Sequence, residues 1–270
     1  MPSGPLQTRQ LAFAIIRGAH RRLLMKALPA KVAIYFHALE PSESQQLSAC
    51  IDYFTNLQYR IVPITEFVDE AATGRLLFLS FDDNYKNWHG SLELLDFLNV
   101  KATFYVNTLP FMDTCPERER LAYFKRLDYT RSTLSMTRAE LCELAQAGQT
   151  IGCHSHSHFN LAQLDPARWD SEIRDSKRLL EELVGQPVEH FAYPYGMRRY
   201  FSASLRDYCQ SIGFKTIASA IPGRQQARHI DPYNVHRTRW NFSASLEDNV
   251  QDIRIDGRLF ERLTGRSAVG

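Results

Sequence analysis

What most constrains this chain is an alternation. From position 31 to 240, short β-branched or aromatic runs take turns with stretches of helical spacing. Such a pattern predicts a parallel sheet with crossover helices, because parallel strands need long connections that cover the sheet's faces. Strands are expected over 31–37, 59–64, 76–81, 102–106, 149–153, 190–193, 215–219 and 235–240. The run 76–81 is apolar at all but Ser80, as befits a strand buried on both faces. Helical spacing fills 44–57 and 91–98. Further helices are expected after a Thr137/Glu140 capping box, after Asp165-Pro166 and after Ser202, the first two ending at Gly148 and near Gly185.

Seven or eight strands with helices between most of them suit a single distorted (β/α) barrel better than an open doubly wound sheet. No G-x-G-x-x-G or P-loop follows any strand, so a nucleotide fold has no support. The placement of polar residues points the same way. His37, Asp82, Asp83, His154, His158 and Tyr195 all fall at or just beyond the C-terminal ends of expected strands, the active face of such a barrel. The division expected is a barrel over 31–270 preceded by an N-terminal extension over 1–30.

A length of 270 residues with 44% hydrophobic and 23% charged is globular composition, and a formal net charge of +2 argues against a polyanionic partner such as nucleic acid. Cys50, Cys115, Cys142, Cys153 and Cys209 are odd in number, scattered and form no C-x-x-C pair, so neither a disulfide framework nor a thiolate zinc site is indicated, which points to a reducing, cytoplasmic setting. The apolar stretch 11–16 is too short for a signal peptide and is followed by Arg17, His20, Arg21 and Arg22. Positions 7–28 read instead as an amphipathic helix with a basic face, which either rests on an acidic membrane surface or covers one end of the barrel. No transmembrane segment is expected. The stretch 109–136 breaks the alternation with aromatic and basic residues, including Phe111, Tyr123, Phe124, Tyr129, Arg118, Arg120, Lys125, Arg126 and Arg131. On the active face it is either a substrate-recognition loop or a partly helical cover.

Phe81-Asp82-Asp83 places two carboxylates side by side after a buried strand, where successive side chains diverge and serve two roles. An isolated Asp pair more often starts a turn. His154-Ser-His-Ser-His158 changes that balance, because imidazoles four apart on a helical turn converge on one ion. An alternative is an extended segment in which His154 and His156 ligate together.

These residues resemble the motifs of the polysaccharide deacetylase family, the NodB-homology domain of carbohydrate esterase family 4. Phe81-Asp82-Asp83-Asn84 is similar to its first motif, His154 to His158 to its H-[ST]-x-x-H motif, and Phe191-Ala192-Tyr193-Pro194-Tyr195-Gly196 to its third, in family order over roughly 31–240. The resemblance implies that Asp83, His154 and His158 bind one divalent metal, with zinc the default and nickel, cobalt or iron alternatives. It implies that Asp82 is the general base and that the backbone of Tyr195 holds the oxyanion. The substrate implied is an amino sugar carrying an N-acyl, chiefly N-acetyl, group, as in a polysaccharide or lipopolysaccharide precursor, with Tyr193, Pro194, Tyr195, Trp88 and Arg237 as substrate-binding candidates.

Three departures stand out. Asn84 replaces the usual Gly, which Asn's tolerance of left-handed backbone allows. Ala192 stands where many members carry an arginine paired with the base, leaving Arg237 or Arg239 to take that part. No C-terminal Leu-x-His motif is found, and His37 is preferred to His236 as the acid. The alternatives are a deformylase or other amide hydrolase on the same scaffold, or a catalytically inactive glycan-binding barrel.

Overall fold

A computed structural model describes residues 26–127, 134–223 and 229–255. The strands are β1 (Lys31–Phe36), β2 (Tyr59–Ile61), β3 (Arg75–Asp83), β4 (Thr103–Val106), β5 (Thr150–Cys153), β6 (His190–Ala192), β7 (Thr216–Ala218) and β8 (Thr238–Arg239). Between them run α1 (Ser44–Asn56), α2 (Ile64–Val68), α3 (Leu92–Phe97), α4 (Glu117–Arg126), α5 (Arg138–Gln146), α6 (Asp175–Val184), α7 (Ala203–Ser211) and, after β8, α8 (Leu246–Arg254). The strand order is β7-β6-β5-β4-β3-β1-β8, and every pairing is parallel. β2 pairs with the first residues of β3 and β4 with its last, so the two share one side of it.

The sheet curls into the expected (β/α) barrel. Its last stave differs from the single strand expected over 235–240. Val235 bridges Ala218 of β7, whereas Thr238 and Arg239 pair with Ile34 and Tyr35 of β1. One short segment thus meets its two neighbours with different residues, Val235 on the β7 side and Thr238 and Arg239 on the β1 side, rather than pairing with both along a single continuous strand.

Strand periodicity decides what faces inward. Along β3, Leu76 and Phe78 belong to one buried cluster with Ala33, Tyr105, Ala192, Ala218 and Val235, while Leu77, Leu79 and Phe81 belong to the layer under the helices. Successive side chains point to opposite faces. Ser80 and Asp82 therefore continue the inner face, as do Tyr35 in β1 and Gly152 in β5. Small residues make room for large ones there: a Cβ on Gly152 would stand 2.5 Å from the Tyr105 ring.

Local signals predicted most helix starts. The Thr137 hydroxyl accepts from Glu140 N at 3.2 Å while the Glu140 carboxylate accepts from Thr137 N at 2.8 Å. Asp165 caps Ala167 N at 2.9 Å and Ser202 caps Leu205 N at 3.1 Å. The helix after Asp165 is not uniform, for a 3₁₀ turn and a π-helical turn at Asp170–Arg174 precede α6. Of the expected N-terminal helix only 26–28 lies among the described residues, in irregular conformation, with Lys26 N donating to Arg254 O at 3.1 Å. No helix among the described residues is long and apolar enough to cross a membrane. All five cysteines are free.

Candidate functional site

β3 ends in the two aspartates, and its period would send Asp82 into the barrel and Asp83 away from it. Asp83 instead has φ of 92°, a region disfavoured for a residue with a Cβ, and the backbone turns there. Of six non-glycine residues with positive φ among those described, four are in this site: Asp83 (92°), Ser155 (69°), His158 (58°) and Tyr195 (65°). Such conformations persist where surrounding contacts hold them, and they concentrate at functional sites. The left-handed position thus falls on Asp83 rather than on Asn84. Asn84 works through its side chain, donating to Asn107 O at 3.0 Å and accepting from Met136 N at 3.0 Å.

The histidine segment is neither the helical turn nor the extended strand expected. It is an irregular loop that two positive φ values bend, and the bend brings His154 and His158 together. Their Nε2 atoms lie 3.5 and 3.4 Å from the same oxygen, Asp83 Oδ1. His156 departs from the group and its Nδ1 meets the Thr108 hydroxyl at 2.9 Å. His154 is fixed by Nδ1 donating to Ala192 O at 2.6 Å, which leaves Nε2 aimed at Asp83. Asn107 ties the loop to β3: its amide nitrogen donates to His154 O and, at 3.2 Å, to Ser155 O, while its backbone N donates to Asp83 O at 3.0 Å. Ser157 is held from the other side by Glu172, at 3.0 Å from its N and 2.6 Å from its hydroxyl.

The ligand atoms of Asp83, His154 and His158 lie within 4.8 Å of one another, and all three residues are buried. Among the described residues Asp83 Oδ1 has no hydrogen-bond partner. At 3.4 to 3.5 Å the imidazole nitrogens are long for direct bonds to it, so a buried carboxylate oxygen and two convergent imidazoles make a donor set that fits a divalent cation. Electrostatics agree. Burial pushes the His158 pKa down to about 3, outweighing the pull of Asp83, so the ring is neutral and one of its nitrogens has a lone pair to offer. Burial opposes charge on His154 as well, but Asp83 and Asp82 prevail and raise it. Burial would raise Asp83, yet His154, His158 and His37 hold it below the ordinary carboxylate range.

Asp82 lies beside this group with a different partner. Arg237 donates from Nη1 to Oδ1 at 2.6 Å and from Nη2 to Oδ2 at 2.8 Å, a two-pronged ion pair with the guanidinium 1% exposed. Nη1 also reaches the Ser80 hydroxyl at 2.9 Å and Nε reaches Ser219 O at 2.9 Å. Burial works against the charge of Arg237, but Asp82 raises its pKa above the usual value. Arg237 thus stands at the carboxylate that Ala192 does not reach, and Arg239 does not. Arg237 is not among the residues lining the pocket and four of its five N–H donors are engaged inside the barrel, which goes against the expectation that it binds substrate.

The pocket at this end has a volume of about 120 Å³ and is lined by Tyr35, His37, Asp82, Asp83, His154, His158, Tyr193 and Tyr195, with Arg126 and Leu127 at the end of α4, Gly196 and Ala220. His37 is brought to it and His236 is not. Burial lowers the His37 pKa against the pull of Asp83, and burial with the Asp82 charge pushes Tyr35 up to about 12. Pro194 is buried within the turn and does not line the pocket. Trp88 is fully buried, packed edge-on to Phe81 and Tyr85 with Nε1 donating to His37 O at 2.9 Å, so its predicted substrate contact is overturned in favour of the core. Trp240 is likewise buried.

The 109–136 stretch proves partly helical, and α4 carries its Tyr123 hydroxyl to Asn107 Oδ1 at 3.1 Å. Positions 128–133, including Tyr129 and Arg131, lie outside the described residues. Sequence reasoning missed Tyr35, Ser80, Asn107 and Glu172. Ser80 was signalled by its two-residue spacing from Asp82 and Asn107 by its place just past β4, whereas nothing local marked Glu172.

The sequence model of the family described as polysaccharide deacetylase matches residues 69–217, more than half of the chain. A Bacillus subtilis (strain 168) protein named "Putative polysaccharide deacetylase YxkH" is 25% identical over 172 residues, 63% of this chain and 53% of that protein, so the chain spans about half the length of this curated relative. Among solved structures, the fold is similar to the Streptococcus pyogenes deacetylase PplD in complex with acetate, with TM-score 0.64 and 20% identity over 83% of this chain and 99% of that one. It is also similar to the deacetylase domain of BpsB from Bordetella bronchiseptica, with TM-score 0.62 and 16% identity over 79% and 97% of the two chains. By the extent of the family match and the barrel that carries its motifs, this chain belongs to the polysaccharide deacetylase family.

Proposed function

We propose that the protein is a metal-dependent hydrolase that removes an N-acyl group, an acetyl in the first instance, from an amino sugar. The observation that carries this reading is the pairing of Asp82 with Arg237 beside the Asp83, His154 and His158 donor set, in one pocket at the C-terminal ends of the strands. A divalent cation held by those three residues, zinc by default from the donor set, supplies Lewis acidity that lowers the pKa of water and polarises an acyl carbonyl.

The chain's own residues account for the remainder. Asp82 takes the proton of the attacking water, and Arg237 holds both of its oxygens so that the carboxylate keeps one orientation. The Tyr195 N–H, which donates to no acceptor among the described residues, serves the developing oxyanion from a turn fixed by Tyr193 Oη donating to Gly196 O at 2.7 Å. The proton taken by Asp82 is relayed through His37, which also lines the pocket, to the departing amine as the C–N bond breaks, and the products are a carboxylate and a free amino sugar. An inactive barrel rested on Ala192 and the missing acid, and the place of Arg237 removes the first of these grounds.

The substrate we favour is a cytoplasmic, nucleotide- or lipid-linked precursor of a surface polysaccharide or lipopolysaccharide, which accords with five free cysteines. Peripheral membrane contact belongs to the N-terminal basic segment.

Elemental analysis of the purified protein beside His154→Ala tests the metal site. About one transition metal per chain is expected, lost in the variant, together with acetate release from an N-acetylated sugar by the native protein. Formate release without acetate would make it a deformylase, and no bound metal even with added zinc would remove the hydrolytic mechanism.

A further inference from the structure

The floor of the pocket is electrostatically committed, Asp82 to Arg237 and Asp83 to the two imidazoles. The rim is different. Among its described lining residues Asp82 and Asp83 are the only acids, and one cation stands there, Arg126 in the last turn of α4. Its guanidinium is half-buried and held in place, with Nε donating to Ser157 O at 2.8 Å and the group lying 4.4 Å above the Phe159 ring. Those contacts occupy Nε and one face of the plane. The terminal Nη1 and Nη2 donors make no hydrogen bond or ion pair among the described residues. The acid nearest in influence, Glu172, is engaged by Ser157 and lies 3.7 Å from Arg168. Burial lowers the Arg126 pKa but leaves it a cation at neutral pH.

A fixed guanidinium with two free donors is suited to a two-oxygen anion, in the manner of bidentate pairs with carboxylate or phosphate. An acyl group that reaches Asp82 and Asp83 enters through the open end of the pocket, so the sugar that carries it passes the residues of the rim, Arg126, Leu127 and the 39%-exposed Tyr195. We infer that Arg126 reads an anionic substituent, a phosphate ester or a carboxylate, on the N-acylated sugar, and so selects acidic amino sugars over neutral ones.

This rests on the N-acyl hydrolase reading above, and the test separates the two. Turnover of N-acetylglucosamine, N-acetylglucosamine 6-phosphate and N-acetylmuramic acid is measured for the metal-loaded native protein, Arg126→Gln and Arg126→Lys, with metal content determined on each. Binding of the same three sugars is measured by calorimetry on Asp82→Asn with and without Arg126→Gln. The native protein should favour at least one acidic sugar over the neutral one, the phosphate or the carboxylate arm identifying which anion is read. Arg126→Gln should cut that preference by about tenfold or more, the size expected for loss of a charge-assisted hydrogen bond, and Arg126→Lys should restore part of it. Equal treatment of neutral and acidic sugars by the native protein would overturn the inference. So would an equal loss on all three in Arg126→Gln with falling metal content, which would make Arg126 a clamp on the histidine loop. Arg126-dependent binding of acidic sugars without turnover of any would uphold it while removing the hydrolase reading.

Discussion

Asp82 and Asp83 are neighbours with opposite assignments, and the backbone between them is what separates the roles. Asp82 keeps the inward direction of β3 and meets Arg237, while positive φ turns Asp83 toward His154 and His158. Asp82→Asn should therefore retain bound metal and lose about 10²- to 10⁴-fold in kcat, the range for a general base. Arg237→Met leaves a buried carboxylate without its counter-charge and should cost about 3–5 kcal/mol in urea unfolding. Adding Asp82→Asn to Arg237→Met removes the stranded charge, so the double variant should be more stable than Arg237→Met alone. If it is no more stable, the stranded charge is not what Arg237→Met costs, and the loss lies in packing against Tyr35 and Tyr105, whose rings lie 4.9 and 5.0 Å from the guanidinium.

At the scale of elements, the short turn after β6 depends on a position that a side chain cannot occupy. Gly196 has φ of 61°, its carbonyl accepts from Ala220 N at 2.9 Å, and a Cβ there would overlap Ala220. Gly196→Ala should thus push the turn off the 220 segment, costing about 1–3 kcal/mol and displacing the Tyr195 amide. Measured kcat should fall while metal content stays near the native level. The Tyr-Pro-Tyr-Gly segment was legible as the third motif, but not that the tightness of its turn comes from a neighbour 24 positions away. The histidine loop carries the same lesson: spacing of four announced convergence, whereas the loop geometry depends on Asn107 and Glu172, which no local pattern couples to it.

Across the whole molecule, closure of the barrel buries polar groups whose titration links stability to pH. His190 in β6 is 6% exposed, with Nδ1 at 2.9 Å from the Thr216 hydroxyl, and burial depresses its pKa to about 4. The unfolded chain takes up this proton near pH 6.5, the folded protein only near 4, so between those values the unfolded state binds more. The contribution is present in full above pH 6.5 and is lost as pH falls toward 4, about 3 kcal/mol in all. His190→Asn should flatten the fall in unfolding free energy across that window relative to the native protein. An unchanged slope would place the acid sensitivity elsewhere.

Sequence alone determined what depends on short-range periodicity and chemistry: the alternating elements, the barrel class, the capped helix starts, and the Asp-Asp, His-x-x-x-His and Tyr-Pro-Tyr-Gly segments at strand ends. Those follow from side-chain direction and local hydrogen bonding, which span a few residues. Only the tertiary structure decided which arginine meets Asp82, that Trp88 belongs to the core, that the stave at 235–239 divides between β7 and β1, and that Arg126 stands at the rim. Each is set by which residues the closing of the barrel brings within a few ångströms, 31 positions apart for Arg126 and Ser157, 155 for Asp82 and Arg237 and 204 for Ile34 and Thr238, and no pattern confined to a single segment carries that distance.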